Sequence, residues 1–287
     1  MIRIAGAPIS WGVCEVPDWG HQLGAERVLS DMRDAGLEAA EIGPEGFLPS
    51  DPRQLADTLA SYDLKAVGGF TPVLLHDPDH DPVPDITGTL AAFTAAGAEV
   101  LVLAAITGTD GYDSRPDLDD AGWKTLLGNL DRLHRVASDQ GIRAVLHPHV
   151  GTMVERNLEV QRVLDGSSIP LCLDTGHLLI GGTDPLELAR AAADRITHTH
   201  LKDVDAEFAA RVQAGELSYT DAVAQGMYTP LGTGDVDIEG VVRHLVDSGF
   251  DGWFTLEQDT ILAGEPEGEG PVADVKTSAA FLRSLSL

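Results

Sequence analysis

Eight short β-prone runs, each followed by a longer stretch with helical spacing, restrict what this 287-residue chain can fold into more than any other feature. They read "RIAGAP", "LEAAEIG", "LKAVGGF", "AEVLVLAA", "IRAVLHPH", "PLCLDTGH", "ITHTHLKD" and "GWFTLEQD". Between them, segments such as 23–35, 118–140 and 238–249 return an apolar residue every three or four positions, the period of a helix with one buried face. Strand then helix, eight times over, predicts an α/β protein whose parallel sheet closes into a (β/α)8 barrel, a fold of about 250 residues. No low-complexity linker divides the chain, so one barrel domain over residues 1–287 is expected. Residues 205–237 put more chain between the last two strands than one helix needs. They predict an excursion over the catalytic mouth, with a helix in "AEFAARVQAGELSYTDAVAQG" and a substrate-facing turn in "GTGDVD".

Charge narrows the partners. The formal net charge of −27, from 46 acidic and 19 basic residues, repels phosphate backbones and anionic membrane surfaces. Neither nucleic acid nor membrane is an expected partner. The start, "MIRIAGAPISWG", lacks the charged and then apolar pattern of a secretory signal, and two cysteines, Cys14 and Cys172, make no disulfide framework. A cytoplasmic location is the expectation.

In a barrel the C-terminal ends of the strands converge on one mouth. Five of the ten histidines fall at three of those ends: His147 and His149, His177, then His198 and His200. Asp174 closes the sixth run, Glu257 emerges from the apolar eighth, and Glu155 lies shortly beyond the fifth. The period of two along "THTHLKD" puts His198, His200 and Lys202 on one face. Carboxylates and imidazoles converging on one point suit one divalent ion, Mn by preference, with Co, Mg, Fe or Zn also compatible. The alternative is a metal-free site, because Asp, His, Glu and Lys can transfer protons unaided. Trp11, after the first run, is a candidate apolar wall for a ring, or core packing beneath the mouth. Phe70 and His76, after the third, are secondary candidates.

The ends "LDTGHL", "HTHLKD" and "LEQD" resemble those of the xylose-isomerase-like barrel superfamily, which holds sugar isomerases, epimerases and some dehydratases. More narrowly, "APISWG", "HPHVGTMVE" and "GMYTPLGTGDVD" resemble the inosose dehydratase family, in the same order along nearly the whole chain. The resemblance implies a divalent metal held by a Glu, Asp, His, Glu set. Asp174, His200 and Glu257 match three of those positions; Glu155 is the favoured first ligand, with His149 and His147 as the alternatives. Glu41 matches a carboxylate that would bind substrate, unless it is a salt-bridged strand end, and His149 would also face substrate.

The activity implied is loss of water from a keto-cyclitol by removal of the proton beside the carbonyl and expulsion of the β-hydroxyl. His147, His177, His198 and Lys202 would move the protons, with Glu155 a further candidate. The substrate would be a small polyhydroxy ketone, and a homo-oligomer is expected by analogy. A ketose epimerase or sugar isomerase shares most of these residues, and a β-eliminating lyase on a ketosugar or cyclitol conjugate shares the chemistry. A non-catalytic sugar-binding barrel would explain a pocket but not the surplus of proton-transfer groups. A phosphodiester-cleaving relative would need a basic groove that this sequence lacks.

Overall fold

The computed structural model describes residues 2–287. Its main sheet is built from β1 (Arg3–Gly6), β2 (Ala39–Ala40), β3 (Lys65–Ala66), β4 (Gly68–Val73), β5 (Val100–Ala105), β6 (Arg143–Leu146), β7 (Leu171–Asp174), β8 (Ile196–Leu201) and, at the end, β11 (Trp253–Leu256). The strand order is β3-β2-β1-β11-β8-β7-β6-β5-β4, with every pair parallel. Its two outermost members are consecutive in sequence, separated by Val67 alone. The Val67 amide donates to Ala40, while its carbonyl accepts from Glu99 and Val100. One kinked strand therefore joins both edges, and the sheet closes into an eight-stranded parallel barrel.

The kink depends on Gly68. A Cβ there would lie 1.8 Å from the Val100 carbonyl oxygen, inside any van der Waals contact and against backbone that cannot swing aside. Gly68→Ala should cost about 3 kcal/mol, the upper part of the range for overpacked cores. Urea denaturation would register this as a lower midpoint at unchanged slope.

Every residue of β5, "VLVLAA", is buried, as expected of a strand covered on both faces. Helices cover the outside through single apolar faces: Val28, Leu29 and Met32 in α1 (Ala25–Asp34), and Trp123, Leu126, Leu130, Leu133 and Ala137 in α4 (Asp120–Ser138). Asp51, Asp119, Asp184 and Asp237 cap α2 (Pro52–Ser61), α4, α7 (Pro185–Ala192) and α10 (Ile238–Asp247) through side-chain oxygens. Each such cap contributes about 1 kcal/mol, which accounts for part of the acidic surplus by structure alone.

The segment after β8 carries β9 (Asp203–Val204), α8 (Ala206–Gln213), α9 (Tyr219–Ala224) and β10 (Tyr228–Thr229), the last pairing antiparallel with β9. "GTGDVD" turns away from the expected substrate-facing role. Its backbone wraps the buried Asp203 carboxylate, which accepts from the amides of Gly232, Gly234 and Val236. A buried carboxylate satisfied by backbone donors is a structural pin, and it anchors the excursion to the strand end.

Candidate active site

The run "LCLDTGHL" places Asp174 at a junction. It is the last residue of β7 and the N-cap of α6 (Thr175–Ile180), so its Oδ1 accepts from the amides of Gly176 and His177 at 2.9 and 2.8 Å. That leaves Oδ2 for the barrel mouth. It lies 3.1 Å from His147 Nε2, 3.3 Å from Lys202 Nζ and 3.6 Å from His200 Nδ1. Burial raises the carboxyl's pKa, but Lys202 and His177 outweigh it and hold Asp174 well below the carboxylate range. His177 thus belongs to the first turn of a helix rather than to a strand.

Asp174, His200 and Glu257 bring one ligand atom each within 4.8 Å of one another. Their geometry fits a cation. His200 Nε2 and His198 Nε2 each lie 2.8 Å from Glu41 Oε1, a carboxylate that only accepts, so both imidazoles carry a proton on that nitrogen. The opposite nitrogen of His200, Nδ1, faces Asp174 and contacts Glu257 Oε2, yet both that nitrogen and that oxygen are buried without a hydrogen bond. A lone pair turned toward two carboxylates needs a positive charge between them, either a second proton on His200 or a metal ion. Nitrogen and carboxylate oxygen together form the mixed donor set that Mn, Fe, Co or Zn accept. Burial holds His147 down to about 3 and His149 down to about 4, so both are neutral, lone-pair-bearing imidazoles at pH 7.

Beside this cluster lies a buried ammonium. Lys202 Nζ is 2.8 Å from Asp259 Oδ1, 3.0 Å from His177 Nε2 and 3.3 Å from Glu257 Oε1. Burial opposes its charge, but Asp174, Asp259 and Glu257 reverse that and raise its pKa well above the ordinary lysine value. Tyr219, from the excursion, donates to Asp259 Oδ2 at 2.5 Å, and its hydroxyl is 3.1 Å from that of Tyr228. His149 stacks on His177 with ring centroids 3.7 Å apart and on Tyr112 at 4.3 Å. Its Nδ1 donates to the Val150 carbonyl at 2.6 Å, which assigns the lone pair to Nε2.

A cavity of about 720 Å³ opens over these groups, lined on the barrel side by Glu41, Phe70, His147, His149, Glu257 and Asp259, with Tyr112 and Tyr219 above. Several expected residues stand elsewhere. Glu155 is held away from the cluster: its Oε2 accepts from the Gly151 amide at 2.7 Å and pairs with Arg115 at 3.3 Å. Trp11 is core, wholly buried, with its indole donating to Asp31 at 3.0 Å, and it lines no part of the cavity. His198 is buried and turned to Glu41, and it lines no part of the cavity. Glu41 spends Oε1 orienting two imidazoles, so its binding role is directed at side chains first. Asp259, Tyr219 and Tyr112 were not anticipated, nor was Glu15, which lines the cavity and accepts from the Tyr112 hydroxyl. "LEQD" did carry a signal for Asp259, because period two along that strand end puts positions 257 and 259 on one face. Tyr112 sits on a loop and Tyr219 opens α9 in the excursion, and neither gave one.

An α/β barrel with a polar, buried cluster at the mouth defines the class, and the comparison with known proteins narrows it. The chain belongs to the xylose isomerase-like TIM barrel family, whose model matches residues 29–285. An inosose dehydratase of Clostridium perfringens is 30% identical over 279 residues, covering 93% of each chain. Two solved structures share the fold over 99% of this chain at a TM-score of 0.72. One is an IolI protein with a binding zinc atom, 14% identical and covered over 98% of its length; the other is L-ribulose 3-epimerase, 17% identical and covered over 94%.

Proposed function

We propose that this chain is a hydro-lyase that removes water from a keto-cyclitol of the inosose type, with one divalent cation, Mn by preference, held by His147, Asp174, His200 and Glu257. The observation that carries this reading is the likeness to an inosose dehydratase along 93% of both chains. The geometry supports it, because elimination needs a charge-stabilising centre, a base and an acid side by side. A bound cation would supply the first, as a Lewis acid toward the carbonyl oxygen.

The remaining steps use this chain's own groups. His149 Nε2, the lone-pair nitrogen of an imidazole that lines the cavity, accepts the proton beside the carbonyl. The electron pair forms the new carbon–carbon double bond as the β-hydroxyl departs, and the imidazolium returns that proton to make water. Its depressed pKa makes His149 a reluctant base and, once protonated, a ready acid. Asp259 and the Tyr219 hydroxyl orient the ring hydroxyls, and Lys202 holds Asp259 in place from behind at 2.8 Å.

His147, rather than Glu155, completes the ligand set in this reading, since it lies 3.1 Å from Asp174 while Glu155 is tied to Arg115. His147→Ala should therefore lower Mn affinity by about 10–100-fold or more, the range seen when residues supporting a metal site are lost. Glu155→Gln should leave metal content and turnover unchanged. Metal analysis of both purified variants decides between the two residues.

The reaction is tested by anaerobic incubation of Mn-loaded protein with scyllo-inosose, following dione absorbance and confirming loss of water by mass. Deuterium beside the carbonyl should slow turnover when proton removal limits the rate. Rapid interconversion of ketohexose epimers with inosose left untouched would replace this reading with the epimerase one, for which the fold is equally suited.

A further inference from the structure

The cavity is larger and less polar than a bare polyol ring requires. Clefts of roughly 300–1,000 Å³ hold drug-sized molecules, and this one measures about 720 Å³. Its buried polar groups gather at one end. His147, His149, Glu257 and Asp259 face the barrel axis, and His147 Nδ1 there is buried without a hydrogen-bond partner. The other end runs outward between α2 and α3 (Val83–Ala96), past Ile42, Leu48, Leu55, Ala92 and Phe93, with the exposed Glu45, Ser50 and Asp85 at its rim. Ile42, Leu48, Leu55 and Phe93 are each at most 8% exposed, so this wall is packed core surface turned to a void, not loose side chains in solvent.

Charge selects further. Carboxylates of Glu15, Glu41, Glu45, Asp85, Glu257 and Asp259 line the cavity, and among the described residues no Lys or Arg does. A phosphate or carboxylate group on the substrate would meet repulsion with no basic partner, in a molecule that already carries −27. A helix face explains the opening at the outer end. Asp85, Gly88, Thr89 and Ala92 recur at the spacing of one face of α3, and a Cβ added at Gly88 meets nothing within 4 Å.

From the size, the buried apolar wall at the outer end and the absence of cationic side chains, we propose that the substrate is an uncharged cyclitol or ketose ring carrying an apolar substituent, with the ring at the barrel mouth and the substituent between α2 and α3. This rests on the proposed keto-cyclitol reading for the ring end and adds a subsite for the other. The ring's hydroxyls satisfy the polar floor, and burial of the substituent against Leu48, Leu55 and Phe93 supplies affinity that the hydroxyls, already well hydrated in water, do not.

The test is binding, independent of turnover. Calorimetry on Mn-loaded full-length protein would compare myo-inositol, its mono-O-benzyl ethers and a myo-inositol monophosphate. At least one benzyl ether should bind about tenfold tighter than the bare ring or better, as burial of an aromatic group predicts, and the phosphate should bind more weakly than the ring. Gly88→Phe fills the outer end and should bring the benzyl-to-ring ratio close to one, whereas Gly88→Ser should keep it; thermal melts verify that both fold. Equal affinity for ring and benzyl ethers, tighter binding of the phosphate, no binding of any of them, or a ratio untouched by Gly88→Phe would each overturn the proposal. A tighter benzyl ether without dehydration of scyllo-inosose would keep the subsite and discard the proposed reaction. Dehydration without the benzyl preference would do the reverse.

Discussion

Asp174→Asn should empty the proposed metal site and reduce turnover by about 10²-fold or more, yet leave the barrel folded. The two oxygens of Asp174 do separate work, and this substitution divides them. Oδ1 caps α6 by accepting from Gly176 and His177, and an asparagine carbonyl oxygen can accept both bonds. Oδ2 carries the charge that faces His147, His200 and Lys202, and an amide nitrogen in its place offers a cation neither charge nor a lone pair. Lys202 is not orphaned by the change, because Asp259 and Glu257 remain at 2.8 and 3.3 Å. Asp174→Leu removes cap and charge together and should also lose stability. Metal analysis, circular dichroism and a scyllo-inosose assay on both variants separate the roles. A fully metallated, active Asp174→Asn protein would show that the ion, if any, binds elsewhere.

Lys202→Met should produce the larger stability loss, about 3–5 kcal/mol, the cost of breaking a buried ion pair and leaving charge behind. Methionine fits the channel that the lysine stem occupies, so packing is nearly preserved and the charge is what is tested. Without the ammonium, Asp174, Asp259 and Glu257 each lose a buried cationic partner, and Asp259 keeps none as near. Urea denaturation of chelator-treated wild type and variant measures the difference. A saturating divalent ion should then recover part of it, because a cation held by Asp174 and Glu257 neutralises two of the three carboxylates. Turnover should fall as well, since Asp259 would lose the 2.8 Å partner that holds it at the cavity wall. A variant as stable as wild type without metal would mean that the carboxylates already share protons in the native state.

The barrel itself was legible in the sequence because its signals are local. Period-two runs ending in turns and period-3.6 stretches behind them determine strands and helices with little outside help, and eight repeats leave one way to bury every apolar face. The same local geometry brought Asp174, His200 and Glu257 to the mouth, where parallel barrel strands end, while their choice as one set came from the family resemblance. It also put His147 at the mouth, although a carboxylate eight residues further on looked the better ligand.

What tertiary structure alone decided lies off the strands or across the barrel. Glu155 is drawn from the cluster by Arg115, forty positions earlier, whose guanidinium spans Glu155 and Glu159 at once. Trp11 follows a strand end but turns inward to Asp31 of α1. Glu41 reaches from β2 to His198 and His200 on β8, and in doing so assigns the tautomer that frees His200 Nδ1 for the cluster. Tyr112 arrives on a loop and Tyr219 at the start of α9, and both are placed by contacts such as Thr220 to Asp113, more than a hundred residues apart. A strand's pleat dictates side-chain direction from two neighbours, whereas a loop's position is the outcome of many distant contacts at once, and no spacing in the sequence encodes it.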